Sequence, residues 1–142
     1  MLIFVGILNF FAALLHLGCI IYGASWYRFL GAGNEMIKLV EEKRIRPALI
    51  TGLITVILLS WSLYDLSAAN VIPPLPFVKF MLYFISVAYI TRGVIGFASQ
   101  RFRLCFTGNS ETFWRISSSI CLIIGIIHSI GIYQLYLQSH NL

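Results

Sequence analysis

Four long apolar runs, separated by short polar stretches, set the pattern of this chain. The first runs from residue 2 to about 27 without a charged side chain. The second starts at Pro47, which suits the opening turn of a helix because its missing N–H needs no partner there. It ends near residue 69, with Asp65 close to its far end. Pro73, Pro74 and Pro76 then enforce a stiff turn. The third run covers about 75–98 and carries Lys79 and Arg92. The fourth covers about 113–137 and has no charge after Arg115. A run of about 20 apolar residues suffices to cross a hydrocarbon core of about 30 Å. The pattern predicts four membrane helices and one domain over residues 1–142.

Between the first two runs lies a different pattern. Gly31-Ala32-Gly33 breaks the helix, and Asn34 is placed to cap a new one. Met36, Ile37, Leu39 and Val40 then recur at helical spacing opposite Glu35, Lys38, Glu41 and Glu42. This predicts a short amphipathic helix over about 34–44, lying at the membrane surface. Gln100–Thr112, with Arg101, Arg103 and Glu111, forms a second polar loop. No positively charged leader or small-residue cleavage site marks the first run as a signal peptide, so a retained helix is expected.

Within each run, small and polar residues recur at steps of three and four. The stripes are Asn9, Ala13, His16, Ile20 and Gly23; Ala48, Gly52, Thr55 and Ser62; Ser86, Tyr89, Gly93 and Gly96; Ser118, Cys121, Gly125 and His128. Lipid tails are as apolar as leucine, so membrane helices associate through such close-packing and polar positions. The expected fold is all-α: an integral-membrane antiparallel four-helix bundle, stripes inward, with the interfacial helix between its first and second spans.

Composition sharpens this. Only 11% of the 142 residues are charged and 59% are hydrophobic, against about 25% charged in ordinary soluble domains. A soluble enzyme, a disordered chain and a coiled coil are excluded. The net charge of +5 reads as topology rather than nucleic-acid binding, because the basic residues sit between apolar runs without interleaved aromatics. Arg28, Lys38, Lys43, Arg44, Arg46, Arg101, Arg103 and Arg115 share one side, and Lys79 stands on the other. The positive-inside rule places that basic side in the cytoplasm and both termini outside. Cys19, Cys105 and Cys121 form no CxxC, so neither a disulfide framework nor a structural zinc site is expected.

Ionisable residues inside a membrane default to a functional hypothesis. His16 and His128 fall within roughly 6 Å in depth at a rise of about 1.5 Å per residue. They offer a ligand pair for haem iron or another metal, a proton relay, or neutral imidazoles that hold the bundle together. No carboxylate is expected at their depth, and no cofactor is the favoured expectation. Arg92 is open to three readings: an anion site, snorkelling to the head groups, or an ion pair with Glu35 or Glu41. Asp65, beside Trp61 and Tyr64, reads as an interfacial carboxylate near the outer surface, or else as an ion or proton site. A drug exporter of the small four-helix kind needs a carboxylate deep in the bundle; this first run has none, and Glu35 lies beyond the break, at the interface. No phosphate loop, HExxH, Ser-centred elbow or paired-carboxylate motif occurs.

His16, Gly23-Ala24 to Arg28, Gly31-Ala32-Gly33-Asn34-Glu35-Met36, Trp61 with Tyr64, Leu75-Pro76 and Arg92-Gly93 give a resemblance that covers most of the chain. In these the chain resembles small, mostly uncharacterised four-helix bacterial membrane proteins, some of them DoxX-like. The resemblance implies a bacterial inner-membrane protein and a link to membrane redox partners. It carries over no activity and no catalytic residue, and the chain departs from it in lacking a cofactor-binding signature. The expected role is a small accessory or assembly subunit, packed against itself or another membrane protein. The alternatives are a small oligomeric transporter or channel lined by His16, Arg92 and His128, and a redox or lipid-binding subunit.

Overall fold

A computed structural model describes residues 1–102 and 111–140, and side chains over 1–98 and 113–137. Cys105 and most of the second polar loop, including Arg103, lie outside the described residues, as do the side chains of Arg101 and Glu111. The helices are α1 (Leu2–Tyr22), α2 (Ala24–Phe29), α3 (Asn34–Glu41), α4 (Ile45–Ala68), α5 (Val78–Phe102) and α6 (Glu111–His140), with no strand among the described residues. α1, α4, α5 and α6 are each long and apolar enough to cross a bilayer. The expected four-helix bundle is the observed fold.

Its exterior is apolar where that of a soluble protein is polar, and its interior mixes polar with apolar side chains. Asn9, Thr51, Thr55, Ser62, Asp65, Ser86, Ser118 and His128 are buried, while Phe4, Phe11, Leu53, Val56, Phe80, Val87, Ile123 and Ile126 face outward. An exposed apolar mantle on this scale would aggregate in water, and lipid is the solvent that accepts it. The chain is a multi-pass membrane protein.

Packing divides the bundle into two hairpins. α1 lies along α4 and α5 along α6, with far less contact between the pairs. Glycines permit the close approach. A Cβ on Gly93 would stand 2.5 Å from Leu122 Cγ, and one on Gly125 would stand 3.2 Å from the Ile90 backbone nitrogen. A layer of Leu2, Ala68, Leu82 and Ile132, one residue from each spanning helix, closes one end.

The segment between α1 and α4 corrects two boundaries. The first helix ends at Tyr22 rather than near residue 27, because Gly23 adopts φ 68°, a region open to glycine. The short α2 comes next. Asn34 is the first residue of α3, and Gly33 occupies the cap. α3 turns Ile37 inward against Cys19 and Tyr27, with Trp26, Met36 and Val40 around them. Its Glu35, Lys38 and Glu41 lie on the outer side, the amphipathic division expected. Tyr27 ties this unit to α4: its hydroxyl lies 2.7 Å from Thr51 Oγ1 and donates to Pro47 O at 3.2 Å. α5 starts at Val78 rather than near residue 75. Ser67 Oγ accepts from the Leu75 N–H at 2.9 Å and donates to Pro73 O at 3.1 Å, which holds the proline turn against the end of α4.

Candidate functional site

Four buried polar side chains, one from each spanning helix, meet where the hairpins join. Asn9 of α1 donates through Nδ2 to Asp65 Oδ2 of α4 at 2.8 Å. Tyr89 of α5 donates its hydroxyl proton to Asn9 Oδ1. His128 of α6 places Nε2 2.8 Å from Asp65 Oδ1. Asp65 and His128 are fully buried and Asn9 is 1% exposed.

The backbone makes room for this tetrad. Gly6, one turn before Asn9, lets α1 close on α4: a Cβ there would meet Asp65 Cβ at 3.1 Å. Ser62 Oγ reinforces the approach by donating to Gly6 O at 2.7 Å. On the far side a Cβ on Gly125 would stand 3.2 Å from Tyr89 Cβ. Trp61 meets the Tyr89 ring edge-on, with centroids 5.0 Å apart. Ser86 and Ser129 share a 2.6 Å hydrogen bond between α5 and α6, Ser129 being the chain neighbour of His128.

The chemistry divides by residue. Asn9 cannot shuttle a proton readily; its amide orients the carboxyl and receives the phenol. Asp65 and His128 can exchange one. Their contact needs a single proton, carried by Nε2 toward a carboxylate or by a carboxylic acid toward the imidazole. His128 Nδ1, on the other side of the ring, is buried with no hydrogen-bond partner. As metal ligands the pair supplies one carboxylate and one imidazole. Among the described residues no three His, Cys, Asp or Glu side chains cluster.

The residues singled out from sequence fall into separate places. Asp65, expected as an interfacial carboxylate near the outer surface, is instead fully buried and partners His128. A carboxylate therefore does share the depth of a histidine, contrary to expectation. His16 is part-buried, and its Nδ1 lies 2.8 Å from Ala12 O of its own helix, so His16 and His128 have different partners. Glu35 is exposed and Tyr64 part-buried. Arg92 does not pair with Glu35 or Glu41. Glu41 takes Arg28 at 3.0 Å, while the Arg92 guanidinium lies 4.6 Å from the Trp114 ring centroid and reaches Ser117 Oγ at 3.3 Å. Spacing alone puts Asn9 and Tyr89 on inward stripes and gives them no chemical role; the structure joins both to Asp65. Against known proteins the chain matches no family model, no curated protein and no solved structure.

Proposed function

We propose that this multi-pass membrane protein is a small proton-linked transporter whose proton-binding centre is Asp65 with His128. The observation that carries the reading is the 2.8 Å contact of a carboxyl and an imidazole, both fully buried between two helical hairpins. Ionisable groups inside a bilayer are costly and mark proton and ion pathways. The imidazole has one nitrogen on Asp65 and the other buried without a partner, so the ring can take a proton on one side and release it on the other once that side is opened to water. The seam between hairpins is also where a rocking motion would expose the pair alternately to the two sides. A second reading is supported by the satisfied bonding of Asn9 and Asp65: an accessory or assembly subunit in which the tetrad simply clamps the bundle.

Infrared difference spectroscopy between acid and alkaline samples tests the centre. A protonated-carboxyl carbonyl band should come and go with pH, vanish in Asp65→Asn and shift in His128→Gln. An identical spectrum in wild type and Asp65→Asn refutes proton exchange at this site. Potential-driven proton uptake into proteoliposomes, lost in Asp65→Asn, separates transporter from clamp. The orientation we propose, a bacterial cytoplasmic membrane with both termini outside, rests on the basic loops. Alkaline phosphatase fused at Leu142 should be active, and a silent fusion there with an active one after Thr107 reverses it.

A further inference from the structure

Arg92 lies in the third span, one helical turn beyond Tyr89 of the tetrad, and its surroundings ask for an anion. Among the described residues no carboxylate pairs with it; the ion pairs there belong to Arg28, Lys38, Arg44 and His128. Its neighbours are an indole face, at Trp114, and hydroxyls. Nη2 donates to Ser117 Oγ at 3.3 Å, a long bond. Nη1 is buried with no hydrogen-bond partner, and so is the hydroxyl of the fully buried Ser118. Both unpartnered atoms crowd one spot. A Cβ on Gly96 would stand 2.9 Å from Arg92 Nη1 and 1.8 Å from Ser118 Oγ, so the absent side chain of Gly96 is what leaves room for both. Two unmet donors, one of them on a guanidinium, suit an oxygen acceptor that both can bind.

Depth identifies the acceptor. Arg92 is eight residues before Gln100, where the polar loop of the sequence begins, and Ser117 five after Thr112, where it ends. At about 1.5 Å per residue both Cα atoms stand roughly 8–12 Å inside the apolar boundary, and the Arg92 side chain extends one turn nearer to it, to Gly96. A guanidinium there reaches the head-group layer, and its planar fork matches two oxygens of a phosphate. We propose that Arg92, Ser117 and Ser118 form a binding site for a phosphate group, with Trp114 stacked on the guanidinium to hold it in place. The phosphate can be that of a membrane lipid or of a free anion.

Native mass spectrometry of delipidated protein tests this with three probes: phosphatidylglycerol, diacylglycerol with the same chains, and inorganic phosphate. Phosphatidylglycerol should bind wild type at least tenfold more tightly than diacylglycerol, and Arg92→Gln and Ser117→Ala should each erode that preference. Displacement of the lipid by millimolar inorganic phosphate assigns the site to small anions; retention assigns it to the lipid head group. Equal binding of the two lipids by wild type overturns the proposal without recourse to any variant. So does an unchanged preference in a folded Arg92→Gln.

Discussion

Consider Asp65→Ala and His128→Ala, made singly and together. Asp65→Ala removes the partner of two buried groups, Asn9 Nδ2 and the His128 ring. In a water-soluble core each abandoned donor would cost about 1–3 kcal/mol. The membrane scale is the relevant one here, because separated helices stay in lipid and find other partners. Interhelical side-chain bonds then average about 0.6 and reach about 1.7 kcal/mol. Two such bonds put Asp65→Ala at about 1–3 kcal/mol. His128→Ala loses one bond and also empties a fully buried ring site, so its cavity cost dominates. The double mutant cancels the cavity and leaves the coupling, expected at about 0.6–1.7 kcal/mol for one strong interhelical bond. Reversible unfolding in mixed micelles, read as separation of labels on α4 and α6, measures it. Ser60→Ala is the control, since Ser60 Oγ bonds to Val56 O of its own helix. A coupling below about 0.3 kcal/mol, the scatter expected of independent sites, would refute the view that this contact joins the hairpins.

Local geometry sets three further outcomes. Gly93→Val should lower stability by about 1–3 kcal/mol, because the new side chain meets Leu122 at its branch carbon and at its backbone nitrogen. Gly52→Ala should be neutral or stabilising by about 0.5–1 kcal/mol, since its Cβ meets only Ile20 Cδ1 at 3.8 Å; the same micelle titration reads both. Tyr27→Phe should cost about 1 kcal/mol and loosen α2 from α4, seen as faster amide exchange over Ala24–Phe29. Burial holds the Tyr27 phenol above its ordinary value of 10.0, with the Thr51 bond opposing and Cys19 adding slightly. Above pH 10 the unfolded chain therefore ionises first and stability falls. Tyr27→Phe should flatten that fall, and an unchanged slope would count against the buried phenol as its cause.

The bundle is legible in the sequence because its polar positions keep helical register. Asn9, Ser62, Tyr89 and His128 all stand on stripes read from spacing, and all are buried. Asp65 is harder to place, because a carboxylate near the end of an apolar run reads as interfacial. Yet it lies three residues beyond Ser62, and α4 buries Thr51, Thr55, Ser62 and Asp65 along one face. Extending the stripe by one step reaches it. The partners of Arg92 are not legible, because depth alone cannot tell which basic side chain an acidic residue on α3 will choose. Nearby Arg28 claims Glu41, and Arg92 turns to an aromatic ring on α6. The early end of α1 is hidden for a different reason. Gly23 is a single glycine whose positive φ has no signature in the residue pattern, whereas Gly31-Ala32-Gly33 is a conspicuous break.

The division into two hairpins sets an order of manufacture. The chain emerges with α1 through α4 first, and Asn9 can answer Asp65 as soon as that first pair is in the bilayer. Until α5 and α6 arrive, one carboxyl oxygen and the amide oxygen of Asn9 face lipid without their later companions, His128 and Tyr89. A nascent chain stalled at that point displays an unfinished polar surface, the kind of feature by which a cell can distinguish a half-built membrane protein from a finished one. Completion hides it, because the last helix delivers the imidazole that seals the acid. The bonds of the polar seam are thus complete only when the fourth span has been inserted.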